Sequence, residues 1–269
     1  MDLLWYLFIV QQHFIDRTVI SSAQDPNFVT SDSANAHTSS SELAAAGTGL
    51  QPVYFISGLG ADQRIFQWLR YDSFKPVHIQ WIDPERTETV ESYAKRLSAQ
   101  IETDAPVIVG LSFGGIVAVE LGKQIPDSQI VLLSSVKNRS EVPFYYKAFQ
   151  GFPVHRIFPF KSMLWASYWF AYWLFSPEGA NQRKLFRTIL QETDPHFLKW
   201  ALHKVVTWRN QAVPEGLVHI HGKRDRVFPF RFVSPDVAVD NSGHLMVMNR
   251  AEAISDLLEQ LILKSPKAS

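Results

Sequence analysis

From Gln51 onward, short apolar runs rich in β-branched and aromatic residues alternate with segments whose apolar positions recur at helical spacing. Residues 52–57 (PVYFIS), 77–82 (VHIQWI), 106–110 (PVIVG), 129–135 (QIVLLSS), 217–222 (LVHIHG) and 236–240 (DVAVD) predict six strands. Most are apolar almost throughout instead of alternating with polar residues, the pattern of strands buried on both faces of a parallel sheet. Between them Val90, Tyr93, Ala94, Leu97 and Ile101 mark one helical stripe, residues 116–121 form an apolar helical segment, and Ile254, Leu257, Leu258 and Leu261 mark another stripe. This order of elements predicts an α/β fold: a mostly parallel sheet of about six strands with helices on both faces.

One interval breaks the rhythm. About 80 residues separate the fourth and fifth strands, against about 2 to 6 in an ordinary αβ connection. Residues 136–216 are therefore expected to form a helical, aromatic-rich cap inserted into a core made of residues 51–135 and 217–269. Its centre, residues 163–175 (MLWASYWFAYWLF), is aromatic nearly all round, so Trp165, Trp169, Tyr172 and Trp173 point to a buried helix or an apolar cavity. That stretch, like the apolar run at residues 3–10 (LLWYLFIV), is shorter than the roughly 20 residues needed to span a bilayer. Residues 1–50 otherwise read as a flexible leader, because residues 21–49 carry too few apolar side chains to offset the entropy of ordering them. The leader also lacks a basic start and a nearby small-residue cleavage site, which argues against a secretory signal.

Composition narrows the chemistry. The 26 basic and 26 acidic side chains balance, and without a polybasic run there is no footprint for a phosphate backbone, so nucleic acid is not an expected partner. The acidic leader (Asp2, Asp16, Asp25, Asp32 and Glu42 against Arg17) leaves the remainder net basic by about four charges. The sequence has no cysteine, which excludes disulfides, thiolate metal sites and a cysteine nucleophile and fits a cytoplasmic protein. His155, His196 and His203 lack metal-ligand spacing, and Gly58-x-Gly60 has Gln63 where a dinucleotide fingerprint needs its third glycine. Neither a metal nor an organic cofactor is expected.

The sharpest motif is Gly110-Leu111-Ser112-Phe113-Gly114-Gly115, a G-x-S-x-G sequence between a strand and a helix. A serine in so sharp a turn is strained, and the positions two before and two after it must lack side chains that clash. The turn exposes the hydroxyl and sets the Phe113 amide near a helix N-terminus, where developing negative charge is stabilised. A serine needs a base, and the base an orienting carboxylate. Asp225 follows the fifth strand in His221-Gly222-Lys223-Arg224-Asp225, and His244 follows the sixth in Ser242-Gly243-His244, both at the carboxyl edge of the sheet. Glu141 is an alternative acid, and His219 and His221 are alternative bases, although both of the latter lie within or at the end of a strand.

With residues 56–62 (ISGLGAD), GLSFGG, HGKRD and SGH in this order, the chain from Gln51 to about Leu263 resembles the α/β-hydrolases. The resemblance implies Ser112 as nucleophile, His244 as base, Asp225 as acid, and the backbone amides of Leu59 and Phe113 as the oxyanion hole. Ser57 stands where the family often has histidine, a departure that touches the loop's side-chain contacts and not its amides. The family's first two strands have no counterpart in the leader, which points to a shortened sheet. The implied activity is hydrolysis of a small or medium apolar carboxylic ester beneath the aromatic cap. Thioesterase, lactonase, lipase, carbon-carbon hydrolase and hydroxynitrile lyase chemistries share the triad. Outside catalysis, the alternatives are a small-molecule binding or receptor module and a peripheral membrane protein that contacts lipid through residues 3–10 or the aromatic stretch. Nothing in the sequence fixes an oligomeric state.

Overall fold

The computed structural model describes residues 50–148 and 169–263 of the 269-residue chain. The expected leader, His155 and the first part of the aromatic stretch, Trp165 included, lie outside the described residues. Six strands, β1 (Pro52–Ile56), β2 (Lys75–His78), β3 (Val107–Leu111), β4 (Gln129–Leu133), β5 (Val218–Gly222) and β6 (Val237–Val239), form one sheet in the order β2-β1-β3-β4-β5-β6. Every neighbouring pair is parallel. The chain crosses from one side of β1 to the other between β2 and β3, so the loops after β1 and β3 part at a topological switch point, where open α/β sheets place their ligands.

The two faces of the sheet are sorted by the strand period of two. Tyr54, Ile56, Ile108, Ile130 and Leu132 face one apolar layer, built with helices α1 (Val90–Leu97), α2 (Phe113–Gln124) and, beyond α3 (Gly179–Glu192), α4 (Pro195–Thr207). Val53, Phe55, Val107, Val109, Leu111, Val131 and Leu133 face the other, which includes α5 (Ala251–Leu263) and the short helix Met246–Asn249. Helix α1 starts at a capping box in which Thr89 and Ser92 exchange side-chain and backbone hydrogen bonds, and it buries Val90, Tyr93, Ala94 and Leu97 as its spacing predicts. Helix α4 starts at Asp194, whose carboxylate accepts the Phe197 N–H at 2.6 Å.

The second strand departs from expectation. Pairing covers Lys75 to His78, two residues earlier than the apolar pattern of residues 77–82 suggests. Pro76 is tolerated because β2 is an edge strand. After Ile79 N–H donates to Phe55 O at 2.9 Å the chain leaves the sheet, and Ile79 and Trp81 pack into the layer above it. Their apolarity serves that packing instead of strand pairing.

In the interval between β4 and β5 the described residues are mainly helical: Tyr145–Ala148, residues 169–175, α3 and α4. Its return leg is anchored to α2. Glu120, fully buried, accepts the Trp208 indole N–H at 2.7 Å and the Lys123 ammonium at 2.6 Å, while Lys123 also donates to Asn210. A buried carboxylate requires such partners. Among the described residues no helix is long and apolar enough to cross a membrane.

Candidate active site

Ser112 lies between β3 and α2 with φ of 54° and ψ of −118°, a left-handed conformation that a non-glycine residue adopts only under external constraint. The constraint is visible on both sides. Ser112 N–H donates to Leu133 O at 3.0 Å, and Ser112 O accepts from Ser135 Oγ at 2.6 Å and from Gly115 N–H at 2.9 Å. A Cβ on Gly110 would lie 2.6 Å from Gly114 O, so strand and helix meet too closely for side chains at the turn.

The loops after β5 and β6 bring Asp225 and His244 to this turn. His244 Nε2 is 2.8 Å from Ser112 Oγ, and His244 Nδ1 is 2.8 Å from Asp225 Oδ2. The carboxylate only accepts, so in the neutral imidazole the proton sits on Nδ1 and Nε2 is free to accept from the hydroxyl. Asp225 Oδ1 accepts the Val227 and Phe228 N–H groups at 2.8 and 2.9 Å, which fixes the carboxylate in its turn. Asp225 and His244 are buried, while Ser112 is partly exposed. Phe175 meets the His244 ring edge-on at 5.3 Å, giving the imidazole an apolar neighbour from the interval between β4 and β5.

The alternative residues have other partners. Glu141 accepts the Lys137 and Ser234 N–H groups at 2.7 and 3.0 Å and clamps two loops together. His219 and His221 are buried in β5, where His219 Nε2 meets His221 Nδ1 at 3.0 Å and His221 Nε2 meets Phe228 O at 2.8 Å. His196 is exposed, and among the described residues no group of three or more His, Cys, Asp or Glu is arranged to hold a metal ion.

Leu59 lies in the loop after β1, and Phe113 opens α2. The loop runs beside the serine: a Cβ on Gly58 would lie 3.5 Å from Ser112 Cβ. Ser57, in the place of the family's frequent histidine, donates to Ala61 O at 2.6 Å and accepts from Trp81 Nε1 at 3.0 Å. The same indole N–H lies 3.0 Å from Ala61 O, and the Trp81 ring contacts Phe113 and Phe197. Trp81 thus ties the Leu59 loop to the Phe113 helix, a role hidden in the sequence because Trp81 reads there as a strand residue. Trp81→Phe keeps much of the ring contact and removes the donor, so urea unfolding is expected to register a loss of about 1 kcal/mol. Unchanged stability would show that the indole N–H contributes nothing. From the other side Thr193, just past α3, donates from Oγ1 to Gly60 O at 2.8 Å, and Arg64 bridges Asp62 and Glu192.

The histidine pair makes stability depend on pH. Burial, then His221 and Lys137, push His219 down to about 2, against a weak opposing pull from the Ser135 backbone. Burial also pushes His221 down. The unfolded chain, with ordinary imidazoles near about 6.5, therefore binds more protons below that pH, so this contribution is complete above it and is lost as pH falls. His219, neutral in the folded state across this range, adds a slope approaching about 1.4 kcal/mol per pH unit, and His221 adds to it in the same direction. Urea midpoints are expected to be flat from about pH 7 to 8 and to fall between about 6.5 and 5, with a shallower fall in His219→Phe. An equal fall in that variant would assign the slope to other groups.

A model of the alpha/beta hydrolase family matches residues 43–257. No curated protein matches the chain. Among solved structures, the N-acyl homoserine lactonase AidH in complex with N-butanoyl homoserine superposes with a TM-score of 0.61 at 19% identity, covering 81% of this chain and 91% of that one. A carboxylesterase structure from the thaumarchaeon Nitrososphaera gargenis gives 0.59 at 16% identity, covering 80% and 90%. The esterase EaEST from Exiguobacterium antarcticum gives 0.58 at 17% identity, covering 80% and 92%. At these identities the likeness is one of fold, and with a family match over most of its length the chain belongs to the alpha/beta hydrolase family.

Proposed function

We propose that this hydrolase cleaves a small or medium apolar carboxylic ester by acyl transfer through Ser112, His244 and Asp225. The observation that carries the reading is the continuous chain of two 2.8 Å contacts from Ser112 Oγ through the imidazole to Asp225 Oδ2. His244 Nε2 takes the Ser112 proton as Oγ bonds to the ester carbonyl carbon, and the carbonyl electron pair moves onto oxygen. The Leu59 and Phe113 amides receive that oxyanion. As it collapses, the carbon-oxygen bond to the alcohol breaks and His244 returns the proton to the leaving oxygen. Water, deprotonated by the same imidazole, then releases the acid and restores Ser112. Asp225 holds the imidazole in its Nδ1–H tautomer and offsets its transient charge. The mechanism needs no metal or organic cofactor.

An apolar substrate fits the surroundings. Phe175 lies against His244, and Phe197 and Trp200 of α4 pack on Phe113. On this reading the segment between β4 and β5 acts as the cap. The test is intact-mass analysis after treatment with a fluorophosphonate, which requires both an activated serine and an oxyanion site. One adduct on the wild type and none on Ser112→Ala is expected. No adduct on either protein would overturn the assignment and favour a binding module, and an adduct that survives the substitution would overturn it by placing the reactive nucleophile elsewhere.

A further inference from the structure

His219 and His221 sit on either side of Ile220 in β5, so the period of two turns both rings to the same face, opposite Ile220. Both are fully buried. Their proton positions follow from their partners. His221 Nε2 lies 2.8 Å from Phe228 O, and a carbonyl only accepts, so Nε2 carries the hydrogen. The neutral ring then has a bare Nδ1, and the group facing it, His219 Nε2 at 3.0 Å, is its donor. With its proton on Nε2, the neutral His219 ring leaves Nδ1 bare.

The fixed His221 Nε2–H has a second neighbour, Asp225 Oδ2, at 3.4 Å. This is the oxygen that receives His244 Nδ1–H at 2.8 Å. The Asp225 turn is thus held from both directions. Its own carboxylate accepts the Phe228 N–H, and His221 holds the Phe228 C=O. The other ionisable groups bearing on His221 are His244 and Glu141, and Glu141 is engaged by two backbone N–H groups.

We propose that His221 is a positioning residue for the Ser112–His244–Asp225 site: its Nε2–H, locked by His219, restrains the turn from Asp225 to Phe228 and draws on the charge of Asp225 Oδ2. This rests on the acyl-transfer reading above for its effect on turnover, but its structural content is measurable without turnover. His221 touches neither the reacting hydroxyl nor its base. It sets how strongly Asp225 accepts from His244.

Nuclear magnetic resonance of the full chain tests this directly. In the wild type the His221 ring is expected to give an unprotonated Nδ1 and a protonated Nε2 that do not change between about pH 6 and 8. A protonated His221 Nδ1 overturns the proposal. In His221→Phe the low-field resonance of the His244 Nδ1–H is expected to move downfield, because Asp225 Oδ2 no longer has the His221 N–H dipole 3.4 Å away drawing on its charge. In His221→Gln, whose amide nitrogen reaches the position of Nε2, the resonance is expected to return toward the wild type. An unmoved resonance in folded His221→Phe overturns the proposal. If that variant does not fold, a folded His221→Gln without the wild-type resonance does the same.

Ester turnover adds a second readout. His221→Phe is expected to lower kcat about 10- to 100-fold, as small misplacements of catalytic groups do, with KM within about twofold. His221→Gln is expected to recover most of the loss. Fluorophosphonate labelling of Ser112 separates the two readings. A labelled Ser112 with wild-type resonance and kcat in His221→Phe overturns only the positioning role. An unlabelled Ser112 with the expected resonances overturns only the hydrolytic one.

Discussion

Asp225→Asn is expected to reduce ester turnover about 10⁴-fold without unfolding the protein. The carboxamide oxygen can still accept the Val227 and Phe228 N–H groups that now bind Oδ1. Its NH₂ group then faces His244 Nδ1, where Asp225 Oδ2 stands at 2.8 Å. Two donors cannot share that contact, so the imidazole moves its proton to Nε2 and can no longer accept from Ser112. Glu141→Gln is the control. Its carboxylate holds two loop amides and is not on the imidazole, so kcat per folded molecule is expected to stay unchanged. Steady-state turnover of a short aryl ester by both variants checks the pair. Full activity in Asp225→Asn, or an equal loss in Glu141→Gln, would remove Asp225 from the role of acid.

Gly114→Ala is expected to cost about 3 kcal/mol or more of stability, or to prevent folding. A Cβ there would lie 2.3 Å from Ser57 O and 2.4 Å from Ile56 O. Both are backbone atoms at the end of β1, so no side chain can rotate away, and relief requires moving the strand or the helix. The loop carrying Leu59 continues from those atoms. Gly216→Ala is the contrast: it keeps a φ of 70° with no atom within 4 Å of the added methyl, and only the left-handed penalty of about 1 kcal/mol is expected. Thermal unfolding of the two variants distinguishes close approach from backbone strain. Equal effects would mean that β1 and α2 yield easily.

Strand positions were legible wherever burial on both faces leaves an apolar run, as in β3 and β4. The rule misplaced β2 because Ile79 and Trp81 are apolar for a layer above the sheet, and a one-dimensional pattern does not say which apolar neighbour a residue meets. Ser112 was legible because its glycines mark the close packing that the turn demands. Asp225 and His244 followed from their places after strands, since a parallel sheet gathers those loops at one edge. His244 is preferred to His221 because it follows a strand instead of lying in one, but that both rings lie near Asp225 was not legible. The indole bond from Trp81 to the Ser57 loop joins residues 24 apart in the chain, and no local signal marks it. The His-x-His alternation of β5 does announce two rings on one face, although not what they touch.

The anchoring of Glu120 bears on how the molecule assembles. Its partner Trp208 is 88 residues away, on the return leg of the interval between β4 and β5. A chain in which α2 has docked on the sheet but the segment around Trp208 has not arrived would strand a carboxylate in an apolar layer with only half its partners. Such half-built forms are raised in free energy relative to both the unfolded chain and the finished molecule. The carboxylate thereby makes the strands before the interval and the segment returning from it interdependent, and it favours all-or-none acquisition of the sheet edge on which Ser112, Asp225 and His244 meet.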